Sequence, residues 1–246
     1  MSFEKYTDCI LNAFRSHPKA SDVIKRKKEI LQGVSEFHNL QSESVLYFGF
    51  NPAILADTSK NIYVTHISED ACNFLKTNNI KFNFIPKSEL SKYYKKFEVV
   101  IALDEFFTFV NSDQEQRDLI EQLCNLTSEY LVTTCKDYKN QDFKDREFST
   151  PAIVRTSTTN LIYLEFHDHD LNDRNSWKTY VHEINNVNMN MYGGFNRRSV
   201  FFKQLAKFSS DVNSVGFSVH KNLMYKSLIK KNYEHVISIR FDYNGY

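Results

Sequence analysis

Glycine and proline are scarce in this sequence, with six glycines and four prolines among 246 residues. Collagen-like and low-complexity chains are rich in these residues, so the composition excludes both classes. Each glycine or proline that does occur is an informative sign of a turn or of the end of an element. Hydrophobic residues make up 41% of the chain and aromatic residues 15%. That is enough apolar material for a sizeable core, so we expect a folded domain and not a disordered chain.

Cysteine is also rare, and its copies form neither a metal-binding nor a disulfide pattern. No Cys-x-x-Cys pair occurs, and each cysteine lies in an otherwise apolar stretch. We therefore expect free thiols that are buried as small hydrophobic residues. The four are Cys9, Cys72, Cys124 and Cys135.

The sequence lacks both a strong net charge and a long apolar run. Its formal net charge is +1, which gives no global indication of nucleic-acid or membrane binding. No stretch is long and apolar enough to span a membrane, and residues 1–10 contain no apolar leader region. We expect a cytoplasmic protein with no membrane partner. The richness in Lys, Asn, Ile, Tyr and Phe suggests an AT-rich genome, with a viral source as one option.

Positive charge is concentrated in the last quarter of the chain. From Val187 to Tyr246, nine lysines and arginines stand against three acidic residues. A solvated face is the preferred interpretation. Nucleic-acid binding is the alternative, because aromatic residues are interleaved with the lysines at 201–208 and 221–233.

Residues 3–40 have apolar positions at helical spacing, and His17-Pro18 divides them into two helices, because proline disfavours the α conformation of the residue before it. From Ser44 onward, short apolar runs alternate with helical stretches. Strands are predicted at 44–50, 61–66, 82–85, 97–103 and 129–135. A short helix is predicted to begin at Asn51-Pro52, and further helices are predicted at 68–77, 87–95 and 113–126. This alternation is typical of a parallel sheet with helices on both faces.

The pattern changes at Lys136. A hairpin is predicted at 152–157 and 160–167, and a further strand at 177–185, which is an antiparallel texture. Gly193-Gly194 predicts a break, followed by a helix at 197–210 and final strands at 215–219 and 235–241. We therefore predict an N-terminal helical segment at 1–43 and an α/β domain at 44–246. A β insertion at about 136–192 would form a lid over the carboxyl ends of the parallel strands.

The exit of the first strand, Phe48–Ala53 (FGFNPA), lies where open α/β sheets bind ligands. Gly49 lets the backbone approach a ligand closely, and the amides of the following helix can meet a carboxylate. A tight turn that needs one glycine is the alternative interpretation. Asp104 and Glu105 follow the fourth strand at the same edge. A role of these two residues in the site and a simple turn after the strand are about equally supported.

The succession of segments resembles class I S-adenosylmethionine (SAM) dependent methyltransferases. Residues 62–85 resemble their second strand, following helix and third strand. Residues 97–110 resemble their fourth-strand segment and 129–135 their fifth strand, and the final helix and two strands are also similar. The resemblance covers roughly residues 44–246. It implies a Rossmann-like class I methyltransferase fold with an inserted antiparallel β layer, and SAM as the cofactor.

The resemblance places SAM over Gly49–Ala53, near His66–Ser68, with Asp104–Phe106 nearby. The cofactor-binding residues that it implies are Gly49, Phe50, Asn51, Pro52, His66, Ile67, Ser68, Asp104 and Glu105. The sequence departs from the family pattern in the first strand with its exit, and again at the end of the second strand. Tyr47 stands where family members carry an acidic residue, and Gly49 stands alone where they carry Gly-x-Gly. His66 stands where they carry the acidic residue that binds the ribose hydroxyls, and a neutral imidazole can make only one such bond.

The insertion resembles that of the glycine N-methyltransferase-like group, in which an Arg-x-Tyr segment helps to bind a small substrate. The matching residues are Lys136 and Tyr138, and lysine keeps the charge but loses the bidentate fork of arginine. The resemblance thus implies methyl transfer to a small molecule, with no catalytic residue identified.

The alternative function is an inactive relative that binds nucleic acid or a protein partner, in which Tyr47, Phe50 or Pro52 would fill the cofactor site. A metal site is not predicted. His167 and His169 would share a strand face, but no further ligand is placed beside them.

Overall fold

The structure is a computed structural model. It describes residues 43–103, 110, 112–136, 146–148, 152–155, 160–169, 174–183, 189–197, 215–219 and 234–243, with positions 3, 7, 8, 11, 14, 15, 21, 24, 25 and 28. The described strands are β1 (Ser44–Phe48), β2 (Asn61–Thr65), β3 (Asn83–Phe84), β4 (Phe97–Ala102), β5 (Thr127–Lys136), β6 (Arg146–Phe148), β7 (Ala152–Arg155), β8 (Asn160–His169), β9 (Arg174–Glu183), β10 (Met189–Arg197), β11 (Val215–Val219) and β12 (Glu234–Tyr243).

Seven of these strands form one sheet in the order β11-β12-β5-β4-β1-β2-β3. Strands β1 to β5 run parallel to one another, with Val45 opposite Ile62 of β2 and opposite Val99 of β4. Strand β12 lies between β5 and β11 and is antiparallel to both. The predicted run of parallel strands is therefore confirmed.

Two α-helices, α1 (Glu69–Thr77) and α2 (Asp113–Leu126), and two 3-10 helices, Pro52–Ala56 and Lys87–Tyr93, connect the described parallel strands. Ser68 is the N-cap of α1, because its hydroxyl accepts a hydrogen bond of 3.1 Å from the amide of Ala71. Ser112 begins α2 in the same way, bonding the amide of Glu115 at 3.1 Å. The predicted bounds of α2 are confirmed.

The core lies on both faces of the first sheet, because successive strand residues point in opposite directions. On one face, Val45 and Tyr47 of β1 pack in a cluster with Ile54, Leu75 and Ile101. On the other face, Leu46 and Phe48 of β1 pack with residues of β4, β5 and α2. The continuous apolar run of β1 is thus explained by burial on both sides.

The strands between β5 and β11 form a second, antiparallel sheet in the order β10-β9-β8-β6, with β7 also paired to β8. The β7–β8 pair, with Val154 opposite Leu161, is the predicted hairpin. The predicted break at Gly193-Gly194 is wrong, because both glycines lie within β10 opposite Lys178 and Trp177. Glycine weakens a strand, but its amide and carbonyl still pair with a long partner strand. That this sheet covers the parallel strands remains a prediction.

The described positions near the amino terminus are helical, as predicted. Leu11 and Phe14 are buried in the same cluster as Val45. The boundary of an N-terminal segment at residue 43 remains a prediction, and the His17-Pro18 break and the body of the helix predicted at 197–210 lie outside the described residues. No helix in the described part of the chain is both long and apolar enough to cross a bilayer.

Candidate functional site

The carboxyl ends of β1 and β2 meet at a pair of residues with left-handed backbone. Gly49 follows β1 with a φ of 77°, and His66 follows β2 with a φ of 55°. The amide of Gly49 donates a hydrogen bond of 2.9 Å to the carbonyl of Thr65, which ties the two strand exits together. The sequence predicted this edge of the sheet as the binding site.

Gly49 needs to be glycine for two reasons. L side chains rarely adopt its φ, and a Cβ built there would lie 2.6 Å from the Phe3 ring and 2.9 Å from Cγ2 of Thr7. Phe3 and Thr7 therefore pack directly on the backbone of Gly49. The predicted close approach at this glycine exists, but here the approaching groups belong to the protein itself.

Asn51 and Pro52 begin the short helix after β1. The Oδ1 atom of Asn51 accepts a hydrogen bond of 2.9 Å from the amide of Ala53, and Asn51, Pro52 and Ala53 are all buried. One of the amides that we expected to meet a ligand carboxylate thus already has the Asn51 side chain as its partner.

The side chain of Phe50 packs in the core. Its ring centroid lies 6.1 Å from that of Phe14 and 5.7 Å from that of Phe74, with a T-shaped geometry in the second pair. Phe50 is 2% exposed. In this arrangement only the backbone of Phe50 can contribute to a ligand site.

His66 is buried, and its ring is held on several sides. It stacks on Phe48 with centroids 5.1 Å apart, and its edge-to-face contact with Phe3 spans 6.4 Å. Its Nδ1 atom lies 3.2 Å from the Thr65 hydroxyl oxygen. A non-glycine residue at this φ costs roughly 1–3 kcal/mol, which the surrounding contacts must offset. The imidazole is therefore a fixed part of the site.

Ile67 and Ser68 continue from His66 into α1. Ile67 is buried in the core, so its predicted contact with cofactor can involve only the little surface that remains. The Ser68 hydroxyl, besides capping α1, donates a hydrogen bond to the carboxylate of Asp8. This brings an acidic residue from the amino terminus to the first turn of α1, two residues after His66.

Tyr47 occupies the other position where an acidic residue was expected. It is fully buried, and its hydroxyl donates a hydrogen bond of 2.5 Å to Oδ2 of Asp57. Burial raises the pKa of Tyr47 well above its ordinary value, and the Asp57 carboxylate raises it further. Asp57 also accepts a hydrogen bond of 2.7 Å from the amide of Ser59, which fixes the loop between the 3-10 helix Pro52–Ala56 and β2.

The amino-terminal residues beside the site were not among the predicted site residues. Phe3 and Thr7 contact Gly49, Asp8 bonds Ser68, and Arg15 forms a two-point ion pair with Asp70 at 2.7 and 3.2 Å. The guanidinium carbon of Arg15 also lies 4.8 Å from the centre of the Phe74 ring. The helical spacing of apolar residues in 3–14 indicated that one face would be buried, but not what would lie beneath it.

The remaining predicted residues are not placed around the site. Asp104, Glu105, Phe106 and Tyr138 lie outside the described residues. Lys136 ends β5 with its backbone paired to Glu234, and its side chain is outside the description as well. A surface groove of about 650 Å³ lies between the helix Lys87–Tyr93 and α2, and it shares no residue with the predicted site.

No protein-family model matches the sequence, and no curated protein matches it either. The structure does resemble solved methyltransferases. A SAM-dependent methyltransferase from Clostridium acetobutylicum matches with a TM-score of 0.65 at 10% identity, over 96% of this chain and 98% of that chain. A sugar N-methyltransferase from Streptoalloteichus matches with a TM-score of 0.60 at 9% identity, over 90% of this chain and 88% of that chain.

A third solved structure is an amino pentose methyltransferase from Micromonospora echinaspora with SAM bound. It matches with a TM-score of 0.56 at 11% identity, over 98% of each chain. At such low identities the likeness concerns the fold alone. The chain has the fold of class I SAM-dependent methyltransferases.

Proposed function

We propose that this protein is a SAM-dependent methyltransferase that acts on a small molecule. The observation that carries the proposal is the left-handed pair Gly49 and His66, joined through the Gly49–Thr65 hydrogen bond at the carboxyl ends of two adjacent parallel strands. Ligands of open α/β sheets bind at this edge. The strand order and the resemblance to solved methyltransferases support SAM as the ligand.

The residues at this edge fit the cofactor in part. Gly49 lets other groups approach its backbone closely, and in this structure those groups are Phe3 and Thr7. The His66 imidazole offers one hydrogen bond to a ribose hydroxyl. Backbone groups of Phe50 and Asn51 and the Ser68 hydroxyl would complete the contacts. SAM would supply an activated methyl group to an acceptor held in line with it.

The residues proposed to bind the substrate have side chains that the structure does not describe. Methyl transfer depends mainly on holding the reacting atoms in line and has no general need of a strong base. Lys136 and Tyr138 would hold the acceptor, and Asp104 and Glu105 would shape the pocket. Two of the similar structures act on sugars, which favours a small polar acceptor.

The alternative, an inactive binding module, required Tyr47, Phe50 or Pro52 to fill the cofactor site. Instead, the Tyr47 hydroxyl bonds Asp57, and the Phe50 ring packs on Phe14 and Phe74 in the core. The groups that take up the space against Gly49 are Phe3 and Thr7. The Tyr47 and Phe50 side chains thus have partners in the core and in the loop before β2, and this supports the proposed function over the alternative.

Calorimetric titration of the purified protein with SAM and with S-adenosylhomocysteine tests the proposal. We expect saturable binding of both ligands at one site, and methyl transfer from labelled SAM to a member of a panel of small amines, acids and aminosugars. Adenosine triphosphate, which also carries an adenosine group, is the ligand control and should compete poorly. Failure of both ligands to bind at millimolar concentration would refute the proposal.

A further inference from the structure

Three amino-terminal side chains lie against three of the proposed cofactor residues. Phe3 and Thr7 pack on Gly49, with atoms 2.6 to 2.9 Å from where a Cβ would be. Phe3 also meets the edge of the His66 ring, and Asp8 bonds Ser68. We infer that Phe3, Thr7 and Asp8 form an N-terminal plug that occupies the cofactor site, so that cofactor binds only when the plug moves away. This inference rests on the proposed function.

The plug and the cofactor compete for the same surface. A ligand that approaches the Gly49 backbone needs the volume that the Phe3 ring and the Thr7 methyl group now take. A ribose beside His66 would also meet Phe3, whose ring centroid is 6.4 Å from that of the imidazole. Both groups cannot occupy this space together, so the bound and the plugged states exclude each other.

The amino-terminal positions from Phe3 to Phe14 are not all held equally tightly against the rest of the protein. Leu11 and Phe14 are buried in the core and hold the far end in place. Phe3 and Asp8, in contrast, are only partly buried. The amino-terminal end can therefore lift while Leu11 and Phe14 stay packed, at the cost of exposing Thr7, which is fully buried in the plugged state.

An exposed ion pair holds the segment against α1 at a distance from the plug. Arg15 and Asp70 are 35% and 56% exposed, and they bond through two nitrogen–oxygen contacts. Neither residue is among the proposed cofactor residues. This pair follows Leu11 and Phe14, in the part of the segment that stays packed. The variant that loosens the plug is therefore Asp8→Ala, which removes the bond to Ser68 and none of the proposed cofactor residues.

The experiment compares four proteins by calorimetric titration with S-adenosylhomocysteine: wild type, Phe3→Ala, Asp8→Ala and Lys60→Glu. When the binding-competent state is a minor one, apparent affinity rises in proportion to its population. We expect about tenfold tighter binding by Phe3→Ala, because the partly buried ring holds the plugged state. For Asp8→Ala we expect binding about two- to tenfold tighter, because the plugged state loses the hydrogen bond between Asp8 and Ser68.

Lys60→Glu is the matched control. It reverses a cation that pairs with Glu43 at 3.5 Å on the surface, at the opposite end of β2, and it should bind as the wild type does. Asp8→Ala decides the question if Phe3→Ala does not fold. Equal or weaker binding by Asp8→Ala than by the wild type overturns the plug and leaves the proposed function standing. Absence of binding in all four proteins at millimolar ligand overturns both.

Discussion

The hydroxyl of Tyr47 in β1 donates a hydrogen bond of 2.5 Å to the carboxylate of Asp57, ten residues later in the chain. Tyr47 is fully buried and Asp57 is partly buried. The bond connects the centre of the sheet to the loop that leads into β2. Its partners come from positions that no local sequence pattern relates to each other.

Replacement of Tyr47 by phenylalanine removes this bond and leaves the Asp57 carboxylate one partner short. We expect Tyr47→Phe to lower the free energy of unfolding by about 1–2 kcal/mol, the lower part of the range for bonds to charged groups, because Asp57 is only partly buried. Urea denaturation measures it. Tyr94→Phe is the control, since Tyr94 is 64% exposed and should tolerate the change. Equal effects of the two variants would mean that the Tyr47 bond contributes nothing.

A second prediction concerns the backbone at Gly49. Gly49→Ala introduces a Cβ at positive φ and within 2.6 Å of the Phe3 ring, and we expect a loss of about 2 kcal/mol. The double variant Gly49→Ala/Phe3→Ala should recover the steric part of that loss and leave the backbone part. A double-mutant cycle by denaturation gives the coupling, expected at about 0.5 kcal/mol or more. Strict additivity would show that Phe3 does not press on Gly49 in solution.

His66 provides the third prediction, which concerns cofactor affinity. A carboxylate would accept charge-assisted bonds from ribose hydroxyls, each worth about 1.5–3 kcal/mol. We expect His66→Asp to bind SAM about tenfold to hundredfold more tightly than the wild type. Asp also tolerates the left-handed backbone that His66 adopts. Calorimetry of wild type and variant measures the change.

His66→Asn is the control for this substitution, because asparagine accepts the same backbone conformation but carries no charge. It should bind SAM no better than the wild type. If His66→Asp and His66→Asn behave alike, the ribose does not lie beside position 66. If the wild type binds tightly and both variants fail to bind, the protein holds its cofactor in a pose built around histidine.

The fourth prediction follows from the thiol of Cys124 in α2. Burial raises the pKa of Cys124 from 9.0 to about 12, and the nearby Lys95 offsets part of this effect. The thiol is neutral in the folded protein but ionises near pH 9 when unfolded, so stability is full below pH 9 and declines as pH rises towards 12. The slope from this one group is about 1.4 kcal/mol per pH unit. Relative to Cys124→Ala, wild-type stability should fall with about this slope between pH 10 and 11, where the thiol is ionised in the unfolded protein and still neutral in the folded one. A constant difference between the two proteins would contradict it.

The basic last quarter leads to the fifth prediction. Lysine contacts with phosphates release counterions, so any nucleic-acid binding should be weak and should decrease steeply as salt rises. Fluorescence anisotropy with labelled single-stranded DNA at 50 and 200 mM salt would measure it. Tight binding that survives high salt, or a clear sequence preference, would support a nucleic-acid function instead of methyl transfer.

The elements that the sequence predicted well are those with strong local signals. Helix α2 has its predicted bounds because Ser112 caps its first turn and apolar residues follow at helical spacing. The parallel strands were recognised because burial on both faces makes them continuously apolar. The break predicted at Gly193-Gly194 failed because pairing with β9 overrides the weak strand preference of glycine.

The candidate site was predicted only in outline. The position of Gly49 at a strand exit is a local feature, and the structure confirms its special backbone. The bond from Ser68 to Asp8 spans 60 positions, and the contact of Phe3 with Gly49 spans 46. Such contacts depend on how helices pack over the sheet, which the spacing of apolar residues does not specify.

The place of β12 in the first sheet has a consequence for synthesis on the ribosome. This strand, Glu234–Tyr243, lies between β5 and β11, although both are made before it. Until residue 243 has left the exit tunnel, β5 and β11 each present an unpaired edge, and such edges promote association between chains. The nascent protein is therefore most prone to association with other chains, and most in need of chaperones, during this period. The period ends only when β12 is inserted between β5 and β11.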